Sequence, residues 1–155
     1  MIENTTSMTL NHPPERVFDF LADFENEPAW NPACISVAKT SPGPAAAGTT
    51  YVGRMRKIGA VQMTLESHEP PRRFVTSERS LMATGRFEFR LMPHPSGTRL
   101  EVDAQLTPRG PFRLLQPLMR RELTTFLANL PGWIHTGLAH AGSRQSVGEV
   151  LDDPA

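Results

Sequence analysis

Glu78, Thr76 and Tyr51 are the residues whose type and spacing can carry chemistry in this chain. If Phe74 faces the interior, the two-residue period of a strand turns Thr76 and Glu78 the same way. A carboxyl in apolar surroundings has a raised pKa and can serve as an acid or a base. Tyr51 would add a phenol that orients or protonates a carbonyl. Plain alternatives stay open beside these readings. A bulge or strand end returns Glu78 to water, an arginine pairs with it, or Tyr51 is an interior tyrosine with a satisfied hydroxyl.

The other chemistry-bearing types give weaker patterns. His12 and His94 sit beside prolines in turns, and His135 and His140 fall late in a helical stretch where positive charge is favourable. Glu66 and His68 share one strand face by parity, the wet one, and no ligand spacing of a metal site occurs, so no metal is expected. The single cysteine, Cys34, reads as a small buried apolar residue. Ser7, Ser36 and Ser67 lack the Gly-x-Ser-x-Gly elbow of a hydrolase, and the glycines form no phosphate loop or dinucleotide fingerprint, so no cofactor is expected. Arg54, Arg56, Arg86, Arg90 and Arg99 alternate with acids and read as cross-strand ion pairs on a solvated face.

Composition narrows the class. Sixteen Lys and Arg balance sixteen Asp and Glu, which argues against a nucleic-acid partner and a polybasic membrane anchor. No apolar run approaches the roughly 18 residues of a membrane span. The N-terminus lacks a basic segment followed by an apolar run, so no signal peptide is expected and a cytoplasmic location follows. The length of 155 residues suits one domain with one core.

The elements that must position these residues are punctuated by 15 prolines. Residues 2–10 alternate as a half-buried strand, with Ile2, Thr6, Met8 and Leu10 on one face. Pro13, Pro14 and Glu15 start a helix whose stripe is Val17, Phe20, Leu21 and Phe24. Pro28 to Pro32 allows at most one further short helical turn. Strands are expected at 34–40, 49–57, 61–66, 73–80, 85–91 and 99–106, with a loop at 42–48 and a turn from Pro93 to Gly97. The last two strands have one apolar and one charged face, as in an antiparallel sheet wet on one side. From Phe112 to about His135 the period becomes helical, and Leu115, Met119, Leu123, Phe126, Leu127, Leu130 and Trp133 form one broad face. Pro117 starts or kinks this helix, and Pro131 should disturb it, so a straight unbroken helix is not expected. One domain is expected over 1–136, followed by a C-terminal tail, 137–155.

This order predicts an α+β fold in which a curved antiparallel sheet of six to seven strands wraps one long C-terminal helix, with one or two short helices after the first strand. An apolar cavity is plausible between sheet and helix because the inner faces mix Phe, Met, Ala and Gly. Tyr51, Met55, Met63, Phe74, Thr76, Phe87, Phe89, Met119, Leu123 and Phe126 are expected to line it, unless they simply fill it. Trp30 and Trp133 either cap one mouth or anchor the core.

Several segments then carry a family likeness. They are the stretch 11–23 (Asn-His-Pro-Pro-Glu-Arg-Val-Phe-Asp-Phe-Leu-Ala-Asp), Trp30-Asn31-Pro32, Gly48-Thr49-Thr50-Tyr51 and Glu69-Pro70-Pro71-Arg72-Arg73-Phe74. Gly85-Arg86-Phe87-Glu88-Phe89, Gly97-Thr98-Arg99-Leu100 and the stretch 115–121 (Leu-Gln-Pro-Leu-Met-Arg-Arg) complete the set. In order and spacing, over about residues 2–134, the chain resembles the START-like, or SRPBCC, superfamily with its helix-grip fold, in particular the polyketide cyclase/dehydrase branch. The resemblance implies binding of a small hydrophobic metabolite, lipid-like or aromatic and polyketide-like. Two other functions stay open: a cyclase or dehydratase with Glu78 or Tyr51 as acid/base group, and an interaction protein with a closed core. A monomer or homodimer is expected.

Overall fold

The computed structural model describes the backbone of residues 1–151 and the side chains of residues 1–142. Seven strands form one sheet: β1 (Ile2–Leu10), β2 (Cys34–Lys39), β3 (Thr50–Met55), β4 (Gly59–Glu69), β5 (Arg73–Arg79), β6 (Ala83–His94) and β7 (Gly97–Pro108). Their spatial order is β1-β7-β6-β5-β4-β3-β2, and every pairing is antiparallel. β2 to β7 thus form a meander of consecutive neighbours, and β1 closes beside β7. Between β1 and β2 lie α1 (Pro14–Ala22), a 3-10 turn (Phe24–Asn26) and α2 (Glu27–Trp30). A second 3-10 segment (Gly110–Leu115) leads into α3 (Gln116–Leu151).

Alternation explains the two faces of the sheet. Ile2, Met8, Leu10, Leu100, Val102, Ala104, Phe89, Leu91, Phe74, Leu65, Met63, Val61 and Tyr51 turn inward and are buried. Arg73, Arg86, Arg90 and Arg99 turn outward and pair with Glu69, Glu88, Glu66, Glu101 and Asp103 at 2.6–3.4 Å. Arg54 and Arg56 are exposed on their strand and turn, and Arg56 Nε donates to the Pro32 carbonyl at 3.0 Å. The first helix begins as its prolines dictate: Pro13 is extended at the N-cap, Pro14 opens the helix and Glu15 lies in the first turn.

Several expectations are corrected by the folded chain. A bulge between Leu65 and Ser67 shifts the register against β5, so parity changes along β4. Glu66 stays outward and pairs with Arg86, whereas His68 opposes Phe74 and lies 5.3 Å from the Phe18 ring. Those two residues do not share a face. Pro93 is paired with Thr98 inside the β6–β7 hairpin, so the turn there is shorter than the sequence suggests.

α3 is unbroken through Pro131. Proline in a helix interior costs about 3 kcal/mol, but Leu127, Leu130, Ile134 and Leu138 on both sides are buried. Full burial of such side chains stabilises by about 1.5–3 kcal/mol each, which outweighs the lost hydrogen bond. The helix also continues past residue 136, where a tail was expected: Leu138 is 0% exposed, and Gly137 packs on Trp30. The remainder of that expected tail, from residue 143, lies outside the described side chains. Leu115 does not join the apolar face, being 39% exposed at the end of the 3-10 segment.

Candidate functional site in the grip between sheet and helix

The inner face of the sheet and the covering helices close tightly at one end. Phe74 stacks on Phe89 at 4.5 Å between centroids and meets Phe18 edge-on at 5.6 Å. Tyr51 lies 4.9 Å from Phe24 in the 3-10 turn. Tyr51, Met63, Leu65 and Phe74 are sealed here, together with Leu130, Ile134 and Leu138 of α3.

Closure is incomplete toward the N-terminal half of α3. Gly85, Phe87 and Leu106 share the inner face with Glu78 by register. They are only half-buried, as are Met119 and Phe126 on the helix. The expected lining set is thereby divided. Tyr51, Met55, Met63, Phe74, Thr76, Phe89 and Leu123 are buried core, while Phe87, Met119 and Phe126 keep accessible surface. Trp133 packs edge-on against Phe126 at 5.6 Å on α3. Trp30 is buried and packs against Gly137, one turn beyond Trp133 on α3.

Polar groups collect where the apolar lining meets α2. Strand parity carries Thr76 and Glu78 inward, beside Leu65 and Met63 across β4. Glu27 and Trp30 stand three residues apart on α2 and so share a face. Cys34, at the bulged start of β2, is opposite Met55. The three ionisable groups feel one another. Glu27 raises the pKa of Glu78, and both carboxylates raise that of Cys34.

Burial dominates each shift. Glu78 is pushed up to about 8, first by desolvation and then by the charge of Glu27. Glu27 rises to about 7 through desolvation, partly offset by the Cys34 thiol and the Asn31 side chain. Asn31 Oδ1 already accepts from the Ala33 N–H at 3.0 Å, which leaves its NH2 for the carboxyl. The two carboxyls titrate as a pair, both upward. Cys34 is held as a thiol, pushed up to about 12, which removes it as a nucleophile near neutrality. Tyr51 is also raised by burial, so its phenol stays protonated.

Three side-chain polar atoms are buried without a hydrogen-bond partner among the described residues: Glu27 Oε2, Trp30 Nε1 and Thr76 Oγ1. Glu27, although ionisable, is only 9% exposed. The sequence reading singled out Glu78, Thr76 and Trp30 but passed over Glu27 and its link to Cys34. Their signal was the three-residue spacing of Glu27 and Trp30 around Pro28, readable only once that segment is known to be a helix. Among the described residues, no three His, Cys, Asp or Glu are placed to hold a metal ion. A shallow surface groove between the β1–α1 and β6–β7 turns, near His12 and Gly97, is remote from these groups in the fold.

Seven antiparallel strands gripping a long terminal helix define the START-like, helix-grip class. Solved structures agree on the fold. A START superfamily protein from Mycobacterium smegmatis superposes with a TM-score of 0.74 at 16% identity, covering 90% of this chain and 98% of that one. The di-domain ARO/CYC BexL from the BE-7585A biosynthetic pathway superposes at 0.69 with 15% identity, over 88% of this chain and 50% of that one. An uncharacterized protein of Mycobacterium tuberculosis (strain ATCC 25618 / H37Rv) is 32% identical over 154 residues, 94% of this chain and 90% of that protein. Residues 1–131 match the family described as polyketide cyclase / dehydrase and lipid transport, and the chain belongs to that family. No helix among the described residues is long and apolar enough to cross a membrane.

Proposed function

We propose that the protein binds a small hydrophobic metabolite, lipid-like or aromatic and polyketide-like, in the cleft between the sheet and α3. The observation that carries this reading is the incomplete closure beside Glu78. Phe87, Leu106, Met119 and Phe126 belong to facing apolar surfaces, yet they remain half-buried. Protein interiors normally close such gaps, and pockets of this make-up are the usual ligand sites of small domains. Membership of a family that includes lipid transport is in accord with it. Burial of an apolar ligand there supplies affinity at about 25 cal/mol per Å² removed from water.

Titration with Nile red, a neutral apolar dye, tests the reading. Saturable fluorescence enhancement is expected, and Met119→Trp, which narrows the opening, should weaken it several-fold. Absence of any saturable signal, together with no co-purifying small molecule in native mass spectrometry, would overturn it.

The carboxyl pair favours a second reading, a cyclase or dehydratase. The ionised member of the pair would take a proton from a carbon beside a carbonyl. The protonated member would give its proton to the carbonyl oxygen attacked in an aldol closure, and loss of water would follow. Turnover of a poly-β-ketone that Glu78→Gln and Glu27→Gln both leave unchanged would remove the pair from such a mechanism.

A further inference from the structure

The even balance of charge over the whole chain hides an uneven distribution. Between Asp103 and Glu122 the chain carries four arginines, Arg109, Arg113, Arg120 and Arg121, and no acid. The fold places this segment at one end of the sheet, where β7 finishes at Pro108 opposite Ala83 and β6 begins. Arg109 ties the neighbouring turn to it. Its backbone N–H donates to the Met82 carbonyl at 2.8 Å, and its Nη1 donates to the Ser80 carbonyl at 2.6 Å. The end of β5 and the β5–β6 turn thereby add Arg79 and Leu81 to the same corner. The ion pairs among the described residues take none of these five arginines. Apolar side chains stand among the charges: Leu81 is 75% exposed, Leu114 86% and Leu118 52%. Single exposed leucines need no explanation, but a group of them set among cations at one corner marks an interaction surface. The corner adjoins the open part of the cleft. Leu106 precedes it on β7, and Met119 lies between Leu118 and Arg120 in the first turn of α3.

We propose that this corner docks on the surface of an anionic phospholipid bilayer, with the leucines entering the edge of the hydrocarbon and the arginines resting among the head groups. The proposal goes beyond the hydrophobic-ligand reading and stands apart from it, because the docking residues lie outside the cleft. Charge complementarity singles out the occupant. Each cation held near an anionic leaflet strengthens partitioning by roughly fivefold. A second copy of the chain would instead set like charges against like at this corner. Residue type argues against a folded protein partner, since the anchors of such interfaces are enriched in tryptophan and tyrosine, with leucine under-represented. Trp30 and Tyr51 are buried elsewhere. Leucines beside arginines suit a lipid surface. A bilayer at this corner also lies next to the opening of the cleft, which gives an apolar ligand a short path between the two.

Co-sedimentation of the full chain with vesicles tests the proposal, comparing phosphatidylcholine alone with phosphatidylcholine containing about one-third phosphatidylglycerol. Binding to the anionic vesicles is expected to be at least about tenfold tighter than to the zwitterionic ones, and to fall steeply between about 0.05 M and 0.5 M salt. Arg113→Gln, Arg120→Gln and Arg121→Gln together should weaken it by roughly a hundredfold and flatten the salt dependence. Leu81→Ser with Leu114→Ser should weaken it by about tenfold at either salt. Arg72→Gln, an exposed cation in the β4–β5 turn at the opposite end of the sheet, should change nothing. All these variants should keep Nile red binding in the absence of vesicles. No binding to anionic vesicles, equal binding to both compositions, or full binding by the arginine or leucine variant overturns the docking and leaves the ligand reading untouched. A dimer in analytical ultracentrifugation that the leucine variant breaks makes the corner an interface between copies and likewise overturns it. Loss of Nile red binding with vesicle binding intact strikes the ligand reading alone. If a variant melts abnormally by circular dichroism, the two vesicle compositions and the salt series on the unmodified protein still decide the matter.

Discussion

Glu78 has its pKa pushed up by desolvation, and the sign of its effect against pH can be worked out. Its folded pKa, about 8, lies above the ordinary 4.5. The folded state therefore binds the proton more tightly than the unfolded state does. Below the unfolded value both states are protonated and the group costs nothing. As pH rises from about 4.5 through about 8, stability is lost, and Glu27 adds to the same slope. The combined effect is on the order of a few kcal/mol. Glu88 acts oppositely. Arg73 hydrogen-bonds it and holds its pKa down, so its contribution is lost as pH falls below the usual carboxylate range. Thermal unfolding from pH 4 to 9 should thus show highest stability on the acid side of neutral, and Glu78→Gln should flatten the alkaline decline. An unchanged slope in that variant would contradict the raised pKa of Glu78. Phe74 is the apolar counterpart, stacked on Phe89 and touching Phe18 and Phe24. Phe74→Ala should cost about 3–5 kcal/mol in urea unfolding.

Between elements, the contact of α2 with α3 rests on a glycine. A Cβ on Gly137 would lie 2.8 Å from Trp30 Cβ and 3.3 Å from the Ala29 carbonyl. Gly137→Ala should therefore push α2 away, costing about 1–3 kcal/mol, and shift Trp30 fluorescence. An unchanged melting temperature and spectrum would argue against this packing. The β6–β7 hairpin is fixed in a similar way. Gly97 has a φ of +137°, and a Cβ there would fall 2.5 Å from the Leu10 carbonyl. Thr98 Oγ1 donates to the His12 carbonyl at 2.7 Å, joining this hairpin to the start of α1. Such register devices hold the strands that aim Thr76 and Glu78.

For the molecule as a whole, one face of the sheet is an ion-pair lattice and the other a core. Arg90 alone meets Glu88, Glu101 and Asp103. Partly exposed pairs in water contribute little, so Arg90→Gln should cost no more than about 1 kcal/mol, and high salt should narrow even that difference. A loss of several kcal/mol would show the lattice to be a structural element in its own right. Equal numbers of acids and bases leave the whole chain with no formal net charge.

The order of strands and helices was legible in the sequence because alternation of period two along β1, β6 and β7, and apolar spacing of three and four along α3, are local properties. So was the inward turn of Thr76 and Glu78, which follows from Phe74 by parity alone. Three things needed the folded chain. The bulge beside Glu66 sends His68 inward, and no periodicity reveals one extra residue in a ladder. Pro131 stays within the helix because distant burial on both sides outweighs a local penalty. Glu27 acts on Glu78 only because the folded chain brings α2 within electrostatic reach of a residue some fifty positions later in the sequence. Local chemistry decides which face a side chain takes. Which carboxyls share that face is decided by tertiary packing, because burial and charge act through space and not along the chain.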